Sequence, residues 1–405
     1  MDITSTSIRK IGRGILTKAR IMDPIFPEYM KPFKGDVDLP KIIEIEPIDT
    51  CNLNCTMCHV SFEDKHDTQR IDPKLLLKLN SIKGAWVKLG SNYEPTMHPG
   101  FVTMMKILSD NENKIDLTTN AVLLTEKRIE EISQTNLKRA TISFDGGTSE
   151  SYEKIRRNSK FQPTVDKIRN LRSTFEDNCF FAVNSVLMKS NIDETWQTIK
   201  FWNSEGINQV RFIFMVIRSL EKDKFGQNNL VDESLFPIKE HAFNVLDQSA
   251  RNLIQKKLAI TINSPYYQFS DLRTKFAKNF NGNVVMSDNP SVWDDENPMH
   301  YHQVGYYPGM EINCRSPFTF ARILFNGDVQ MCYKYVIGNL HEKTFEDIWY
   351  GERAQQVRSL VLTNTKVCQQ CDFYRFCLSS TTVDPRKIEN YVAEHLRADV
   401  DRIFS

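Results

Sequence analysis

The chain has 405 residues, enough for a large core, and its 52 basic and 51 acidic residues leave a net charge of +1. A nearly neutral surface provides no global field that would recruit nucleic acid, so no nucleic-acid partner is expected. No run of about 18 apolar residues is present and no signal peptide is recognised, so a soluble, cytoplasmic protein without a transmembrane segment is expected. Nine cysteines, an odd number gathered in clusters, favour metal sites in a reducing compartment over a disulfide framework.

The first predicted segment, residues 1–37, contains a basic amphipathic pattern. Residues 6–23 place isoleucines and a leucine on one helical face, with lysines and arginines around it. Such a helix can lie on a membrane surface. Gly12 and Gly14 weaken it as an autonomous anchor, so packing against the rest of the protein is favoured. Four prolines between positions 24 and 40 then predict an extended approach to the first strand.

The second segment, residues 38–218, alternates between strand and helix patterns. Strands are predicted at 41–48, 85–90, 114–120, 139–145, 180–188 and 209–216, and helices at 73–83, 101–110, 126–133, 163–175 and 194–204. Six alternating units predict a parallel sheet with crossover helices. The predicted fold is therefore α/β, an open partial (β/α)6 TIM-type barrel, with active-site loops at the carboxyl ends of its strands.

Cys51, Cys55 and Cys58 form a C-x3-C-x2-C motif directly after the first predicted strand. Three thiols at this spacing can bind three irons of a [4Fe-4S] cluster, because thiolate is the ligand that such clusters take. The fourth iron would then be open to a small molecule. A structural zinc loop is the alternative, but zinc sites usually combine two Cys or Cys/His pairs across a longer gap.

This motif and its place after the first strand resemble the radical S-adenosylmethionine (SAM) superfamily, although Met57 stands where that family usually has an aromatic residue. The resemblance implies that the open iron chelates the amino and carboxylate groups of SAM. An electron from the cluster then cleaves the sulfonium, and a 5'-deoxyadenosyl radical removes a hydrogen atom from the substrate. A reductant such as flavodoxin or ferredoxin is implied as the electron donor.

Polar residues at later strand ends are similar to the SAM-binding motifs of the same superfamily. The loop GSNYEP at 90–95 resembles its Gly-Gly-Glu-Pro loop without the second glycine, which implies that the acid receives the SAM ammonium group. The sequences TTN, ISFDGG and SYEKIR match motifs expected near the third strand end and around the SAM ribose and carboxylate. The SAM contacts implied by the resemblance are Glu94, Asn120, Ser143, Asp145 and Arg156.

The third predicted segment, residues 219–313, interrupts the alternation. It is charged and rich in asparagine, with scattered aromatic residues that argue against a disordered linker. An insertion with a helix within 234–256 is expected, either covering the barrel mouth or forming an ordinary surface subdomain. Cys179, before this segment, is expected to be a buried thiol.

Five further cysteines lie in the last predicted segment, residues 314–405. A hairpin at Asn326-Gly327 is expected to bring the C-x17-C pair together, and a C-x2-C pair follows a helical stretch at 345–361. This arrangement is similar to the SPASM/twitch extension of radical SAM enzymes, which has seven cysteines and two auxiliary clusters when complete. Five cysteines favour one auxiliary [4Fe-4S] cluster, with structural zinc as the alternative. The expected ligands are Cys314, Cys332, Cys368 and Cys371, with Cys377 spare or substituting.

The sequence therefore predicts a radical SAM enzyme whose catalytic side chains are not identified. By family resemblance, the substrate is either a small carbohydrate-like molecule that is oxidised or epimerised, or a peptide or protein side chain. No peptide-recognition domain precedes the predicted barrel, which favours the small molecule. A non-catalytic protein that binds iron-sulfur clusters or zinc through the same thiolates is the remaining alternative.

Overall fold

The computed structural model describes residues 37–63, 67–215, 232, 233, 235, 238–256, 258–264, 284–286, 316–331 and 335–363. Within them, eleven strands form one sheet. They are β1 (Ile42–Ile45), β2 (Trp86–Leu89), β3 (Lys114–Thr119), β4 (Leu137–Ser143), β5 (Phe180–Leu187), β6 (Gln209–Phe214), β7 (Thr261–Ser264), β8 (Val284–Met286), β9 (Phe320–Ile323), β10 (Asp328–Met331) and β11 (Tyr335–Asn339). Their order across the sheet is β11-β10-β9-β1-β2-β3-β4-β5-β6-β7-β8.

Strands β1 to β6 pair in parallel and in chain order, which confirms the prediction for the barrel core. The sheet continues beyond both ends of this core. Strands β7 and β8, from the segment predicted as an insertion, extend the parallel run at one edge. At the other edge β9 pairs in parallel with β1, and β10 and β11 follow as antiparallel strands. The C-terminal segment is therefore part of the same sheet as the core.

The helices mostly match the predicted stretches. They are α1 (Phe101–Asp110), α2 (Glu126–Ser133), α3 (Ser149–Ile155), α4 (Phe161–Phe175), α5 (Thr195–Ser204), α6 (Lys239–Gln255), α7 (Ser316–Thr319), α8 (Phe345–Trp349) and α9 (Glu352–Thr363), and a 3-10 helix spans Pro73–Leu79. Helix α3 was not predicted, and the stretch at 345–361 is two helices instead of one. None of the described helices is long and apolar enough to cross a membrane.

The two faces of the sheet differ in chemistry because side chains alternate along each strand. On β1, Ile43 and Ile45 are fully buried in the core beneath the helices, where Phe144 stacks on Tyr152 with ring centroids 3.9 Å apart. The intervening Glu44 points to the opposite face, which we call the inner face. The hydrophobic effect therefore stabilises the helix layer on the outer face and leaves the inner face free for polar groups.

Candidate active site

The cysteine loop leaves the carboxyl end of β1 and is fastened to the chain after α3. The amide of Thr56 donates a hydrogen bond to the carbonyl oxygen of Ile155 at 2.9 Å. Cys55 is buried, whereas Cys51 and Cys58 are partly exposed. The loop thus lies where a parallel barrel carries its active site, with two thiols accessible from outside.

Each thiol of the loop has a nitrogen of another side chain nearby. The pairs are Asn120 Nδ2 with Cys51 Sγ at 3.8 Å, Arg156 Nη1 with Cys55 Sγ at 3.9 Å, and His59 Nδ1 with Cys58 Sγ at 3.6 Å. The backbone amide of Leu53 also donates to Cys51 Sγ at 3.5 Å. Hydrogen bonds to cluster sulfurs orient the ligands and help to set the reduction potential. These neighbours therefore suit thiolates that hold a cluster.

Burial makes Cys51 and Cys55 poor thiolates on their own. It raises the pKa of Cys51 to about 12 and raises the pKa of Cys55 still further above its ordinary value. A bound metal deprotonates its thiol ligands, because the positive charge of the metal replaces the proton. The donor set therefore fits a site in which bound iron stabilises the thiolates.

The described residues contain no preformed site for a single metal ion. Across the described ranges, no three His, Cys, Asp or Glu side chains converge closely enough to hold one metal ion, and these ranges include the cysteine loop. Four-coordinate zinc needs its ligands about 2.3 Å from one centre.

The loop after β2 is shaped by Gly90 and Glu94. Gly90 has a φ of +83°, and a Cβ atom there would lie 2.7 Å from Pro95 Cγ, so this turn requires glycine. Glu94 is 2% exposed. Its Oε1 accepts hydrogen bonds from the amide and hydroxyl of Thr96 and from the hydroxyl of Thr119, and its Oε2 accepts one from the amide of Asn120 at 2.7 Å.

Glu94 therefore links the loop after β2 to the end of β3. Burial raises the pKa of its carboxyl group, and the four donors oppose that shift by stabilising the charged form. Among the described residues, Oε2 accepts one donor, so it keeps a lone pair for one more. Asn120 in turn donates to the side chain of Asn52 at 2.9 Å. The carboxylate thus positions the asparagine that lies beside Cys51.

We expect Glu94→Ala to weaken SAM binding at least tenfold and to leave assembly of the cluster largely intact. The substitution removes an acceptor for four donors, including the amide of Asn120, but no thiol. SAM affinity and iron content of the reconstituted variant check this expectation. Glu130→Ala, an exposed position in α2, is the matched control. Wild-type SAM affinity in Glu94→Ala would show that this loop does not bind SAM.

Asp145 and Arg156 form a buried ion pair behind the cysteine loop. Arg156 Nη2 lies 2.8 Å from Asp145 Oδ2, and the amide of Val186 donates to Asp145 Oδ1 at 2.5 Å. Arg156 also reaches Cys55, so the pair joins the end of β4 to the thiol. Ser143 lies two residues before Asp145, at the end of β4, and is in register with Asn184 of β5. The structure thus brings Asn120, Asp145 and Arg156 close to the cysteine loop.

The inner face carries a row of charges that the sequence analysis missed. Strand register aligns five residues on five neighbouring strands with alternating charge, which we call the ionic row: Arg322, Glu44, Lys88, Asp116 and Arg139. Glu44 lies 3.0 Å from both Arg322 and Lys88, and Arg139 lies 3.2 Å from Asp116. The alternating acids in IIEIE at 42–46 indicate that one face of β1 is polar. Their pairing with Arg322 depends on the register between β1 and β9, which the sequence does not show.

Glu46 lies one level above the ionic row, toward the cysteine loop. Its Oε1 accepts hydrogen bonds from the amide of Asn92 at 2.7 Å and from Arg322 at 3.0 Å, whereas its buried Oε2 has no hydrogen-bond partner among the described residues. Burial and the neighbouring charge of Glu44 raise the pKa of Glu46 to about 7. The group can therefore exchange a proton near neutral pH.

The predicted auxiliary site is only partly described. The hairpin at Asn326-Gly327 is confirmed: β9 and β10 pair antiparallel, and Gly327 has a φ of +85°. Cys332 follows directly after β10. All five cysteines expected at this site lie outside the described residues: Cys314, Cys332, Cys368, Cys371 and Cys377.

Two family models match the chain. The radical SAM superfamily model matches residues 45–202, and the SPASM model, an iron-sulfur cluster-binding domain, matches residues 314–372. The first match contains the cysteine loop and the second contains the C-x17-C and C-x2-C pairs. The chain belongs to the radical SAM superfamily and carries a SPASM domain. It is accordingly a radical SAM enzyme. Its cofactors are a [4Fe-4S] cluster, SAM and auxiliary iron-sulfur clusters.

Curated relatives are distant and act in different reactions. A tungsten-containing aldehyde ferredoxin oxidoreductase cofactor-modifying protein from Pyrococcus furiosus is 23% identical over 350 residues, covering 83% of this chain and 90% of that protein. An AdoMet-dependent heme synthase from Methanosarcina barkeri is 24% identical over 181 residues, 44% of this chain and 51% of the synthase. Mycofactocin maturase MftC from Mycobacterium tuberculosis is 26% identical over 149 residues, 36% of this chain and 38% of the maturase. The chain thus spans about half or less of the latter two proteins.

Solved structures with the same fold include two well-covered examples. Streptococcus suis SuiB bound to precursor peptide SuiA has a TM-score of 0.55 and 16% identity, covering 89% of this chain and 75% of SuiB. Native anSMEcpe with bound AdoMet has a TM-score of 0.52 and 16% identity, covering 89% of this chain and 99% of anSMEcpe. At these identities the likeness establishes the partial-barrel fold alone.

Proposed function

We propose that this enzyme modifies a peptide or protein side chain by radical chemistry at the carboxyl end of the β1 to β6 barrel. The observation that carries the proposal is the cysteine loop, which lies above a polar inner face. Each of its thiols has a side-chain nitrogen nearby. The names of MftC, a maturase, and of SuiB bound to its precursor peptide support a peptide substrate. When bound, the cluster and SAM supply an electron and a hydrogen-abstracting 5'-deoxyadenosyl radical.

The protein's own residues hold and orient the reacting groups in this proposal. Cys51, Cys55 and Cys58 are the proposed ligands of the cluster. Glu94 fixes the two loops between which SAM would lie and offers the remaining lone pair of Oε2 to the SAM ammonium group. The other proposed SAM contacts are Asn120, Ser143 and Asp145, at or just after the carboxyl ends of β3 and β4, and Arg156, directly after α3.

We also propose one fully ligated auxiliary [4Fe-4S] cluster in the SPASM domain, bound by Cys314, Cys332, Cys368 and Cys371. Four thiolates complete the ligation of such a cluster and restrict it to carrying electrons or supporting structure. A substrate radical that is oxidised to a neutral double bond must lose one electron and one proton, and an auxiliary cluster would be a suitable acceptor for the electron. Cys377 is not required in this arrangement.

A second candidate substrate is a small carbohydrate-like molecule that is oxidised or epimerised. It is favoured by the inner face, where the buried Oε2 of Glu46 and Oδ1 of Asn184 have no hydrogen-bond partner among the described residues. Both atoms are acceptors, and hydroxyl groups of a small polar molecule would provide the matching donors. A peptide can present the same donors through side chains and amides.

A stimulation assay with protease treatment separates the two candidates. The reconstituted, reduced enzyme receives SAM and an extract of the producing cells, divided by ultrafiltration into large and small solutes. We expect the fraction of large solutes to increase 5'-deoxyadenosine formation and to lose this effect after protease digestion. Stimulation by the small solutes that survives protease would contradict the peptide proposal and support the carbohydrate-like substrate.

A further inference from the structure

Buried acceptor atoms on the inner face point to the chemistry of the group that binds there. Four buried polar atoms lack a hydrogen-bond partner among the described residues and lie on this face by strand register: Glu46 Oε2, Thr118 Oγ1, Asn184 Oδ1 and Gln330 Oε1. Asn184 Oδ1, Gln330 Oε1 and, in its charged form, Glu46 Oε2 can only accept hydrogen bonds, and the hydroxyl of Thr118 can also accept. An unpaired buried acceptor is costly, so such a set is complementary to a ligand rich in donors.

Glu46 and Thr118 are the pair best placed to bind one group. Glu46 follows Ile45, which pairs with Leu89, and Leu89 pairs with Leu117, so Glu46, Gly90 and Thr118 share one level of the sheet. Strands are about 4.8 Å apart, which places the two backbones about 10 Å from each other. Gly90 between them has no side chain, and Pro95 and the carbonyl oxygen of Thr118 bound the space that a Cβ atom there would take. The side chains of Glu46 and Thr118 project from this level toward the interior of the barrel.

The remaining contacts of Glu46 fix the direction of its free oxygen. The amide of Asn92 and the guanidinium of Arg322 both donate to Oε1, so the carboxyl group is held at one end. Arg322 comes from β9 in the SPASM segment and also contacts Glu44. The C-terminal segment therefore contributes a positioning residue to the inner face.

We propose that Glu46 Oε2, with Thr118 Oγ1 on the same level of the sheet, is a substrate-binding site for an N–H or O–H donor group, preferentially a cationic amine or amidine-like nitrogen. This proposal deepens the proposed function, on which it rests, because it assigns the chemistry of the group bound next to the reacting carbon. Charge-assisted hydrogen bonds to a carboxylate are about twice as strong as neutral ones, which accounts for the preference for a cation.

The test uses two planar probes of the same shape with opposite hydrogen-bonding character. Acetamidinium donates only, and acetate accepts only. Ligand-observed NMR titration of the reconstituted holoenzyme with SAM should give saturable binding of acetamidinium and none of acetate. In Glu46→Gln, which replaces the Oε2 acceptor by a donor, the Kd of acetamidinium should rise about tenfold, the change expected for one charged hydrogen bond.

Two further variants keep the test decisive. Thr118→Val retains the shape of the side chain and should also weaken binding of acetamidinium, and the exposed Glu130→Gln should leave the Kd unchanged. Thermal unfolding of Glu46→Gln establishes that the variant is folded. Equal Kd values in the wild type, Glu46→Gln and Thr118→Val would overturn the proposal, as would equal binding of acetate or no saturable binding of acetamidinium.

The pH dependence of the probe provides a second readout. Among the described residues, the charged or titratable groups that interact with Glu46 are Glu44 on its own strand, Arg322 on β9 and Tyr93 in the loop after β2. With the pKa of Glu46 at about 7, the carboxylate forms as the pH rises through that value, so acetamidinium should bind more tightly above it than below. A flat profile contradicts the assignment. Since neither probe is the substrate, this outcome is independent of whether the substrate is a peptide.

Discussion

Simultaneous replacement of Cys51, Cys55 and Cys58 by alanine is expected to abolish SAM cleavage and to leave a folded protein that is still brown. The three thiols lie in one loop after β1, whereas the proposed ligands of the auxiliary cluster lie in the C-terminal segment. The remaining iron should be about four atoms per chain, the count for one [4Fe-4S] cluster. Iron analysis and 5'-deoxyadenosine formation after reduction measure the two effects.

Cys179→Ala is the matched control for the triple variant. Cys179 is buried in the helix-packed core just before β5, away from the cysteine loop, so its loss should leave both iron content and SAM cleavage unchanged. Complete loss of iron from the triple variant would mean that the protein holds a single cluster. About eight irons, or a spectrum that responds to substrate, would mean two auxiliary clusters or an open iron. Cys377 would then become a candidate ligand.

Arg322→Met is expected to destabilise the fold by about 3 to 5 kcal/mol at neutral pH, the usual result of removing one partner from a buried ion pair. Arg322 lies 3.0 Å from both Glu44 and Glu46, and each of these carboxylates is 1% exposed. Without the guanidinium, Lys88 is the only remaining cation of the ionic row beside the two acids. Thermal or denaturant unfolding of the variant and the wild type measures the loss.

The destabilisation should depend on pH in a defined direction. In the wild type the pKa of folded Glu46 is raised from 4.5 to about 7, so this group's contribution to stability falls as the pH rises between those values. The charge of Arg322 lowers the pKa of Glu46, so its removal raises that pKa further. The decrease in stability with rising pH then continues above pH 7. The difference between Arg322→Met and the wild type should thus be smallest in acid, where the carboxyl groups are neutral, and should grow with pH.

Arg169→Met is the control for the loss of an arginine. Arg169 is about half exposed and pairs with Glu205 on the surface, and such pairs contribute less than about 1 kcal/mol. A difference between Arg322→Met and the wild type that is small, or that does not change with pH, would show that Arg322 does not neutralise the inner carboxylates. The ionic row would then have no role in joining the SPASM segment to the barrel.

The barrel core could be predicted because each of its strands and helices is specified by a short, continuous stretch of sequence. Each strand from β1 to β6 is a short apolar run followed by a helical period, and each helix packs its apolar stripe on the outer face. The cysteine loop could be identified in the same way, since its three thiols lie within eight residues. Helix α3 was missed because its seven residues, SESYEKI, have little apolar periodicity. It is stabilised by a capping box between Thr148 and Ser151, in which serine takes the place of the usual Glu or Gln, so the sequence lacks the ordinary signature.

The chemistry of the inner face could not be predicted because it depends on contacts between distant segments. Arg322 and Glu46 are 276 positions apart, and they meet only because β9 pairs with β1. The link between Glu94 and Asn120 similarly depends on adjacent strand ends, and it gives Glu94 a structural role that a motif does not reveal. A sequence pattern identifies residue types at a site, whereas strand register decides which of them touch.

The central claim is that Cys51, Cys55 and Cys58 hold a cluster with an open iron that binds SAM. Electron paramagnetic resonance of the anaerobically reconstituted, reduced protein, recorded with and without SAM, tests it most directly alongside a 5'-deoxyadenosine assay. We predict that SAM changes the cluster signal and yields 5'-deoxyadenosine in the wild type, and that both effects are lost in Cys55→Ala. A colourless, zinc-loaded protein, or a cluster signal that SAM leaves unchanged, would contradict the claim.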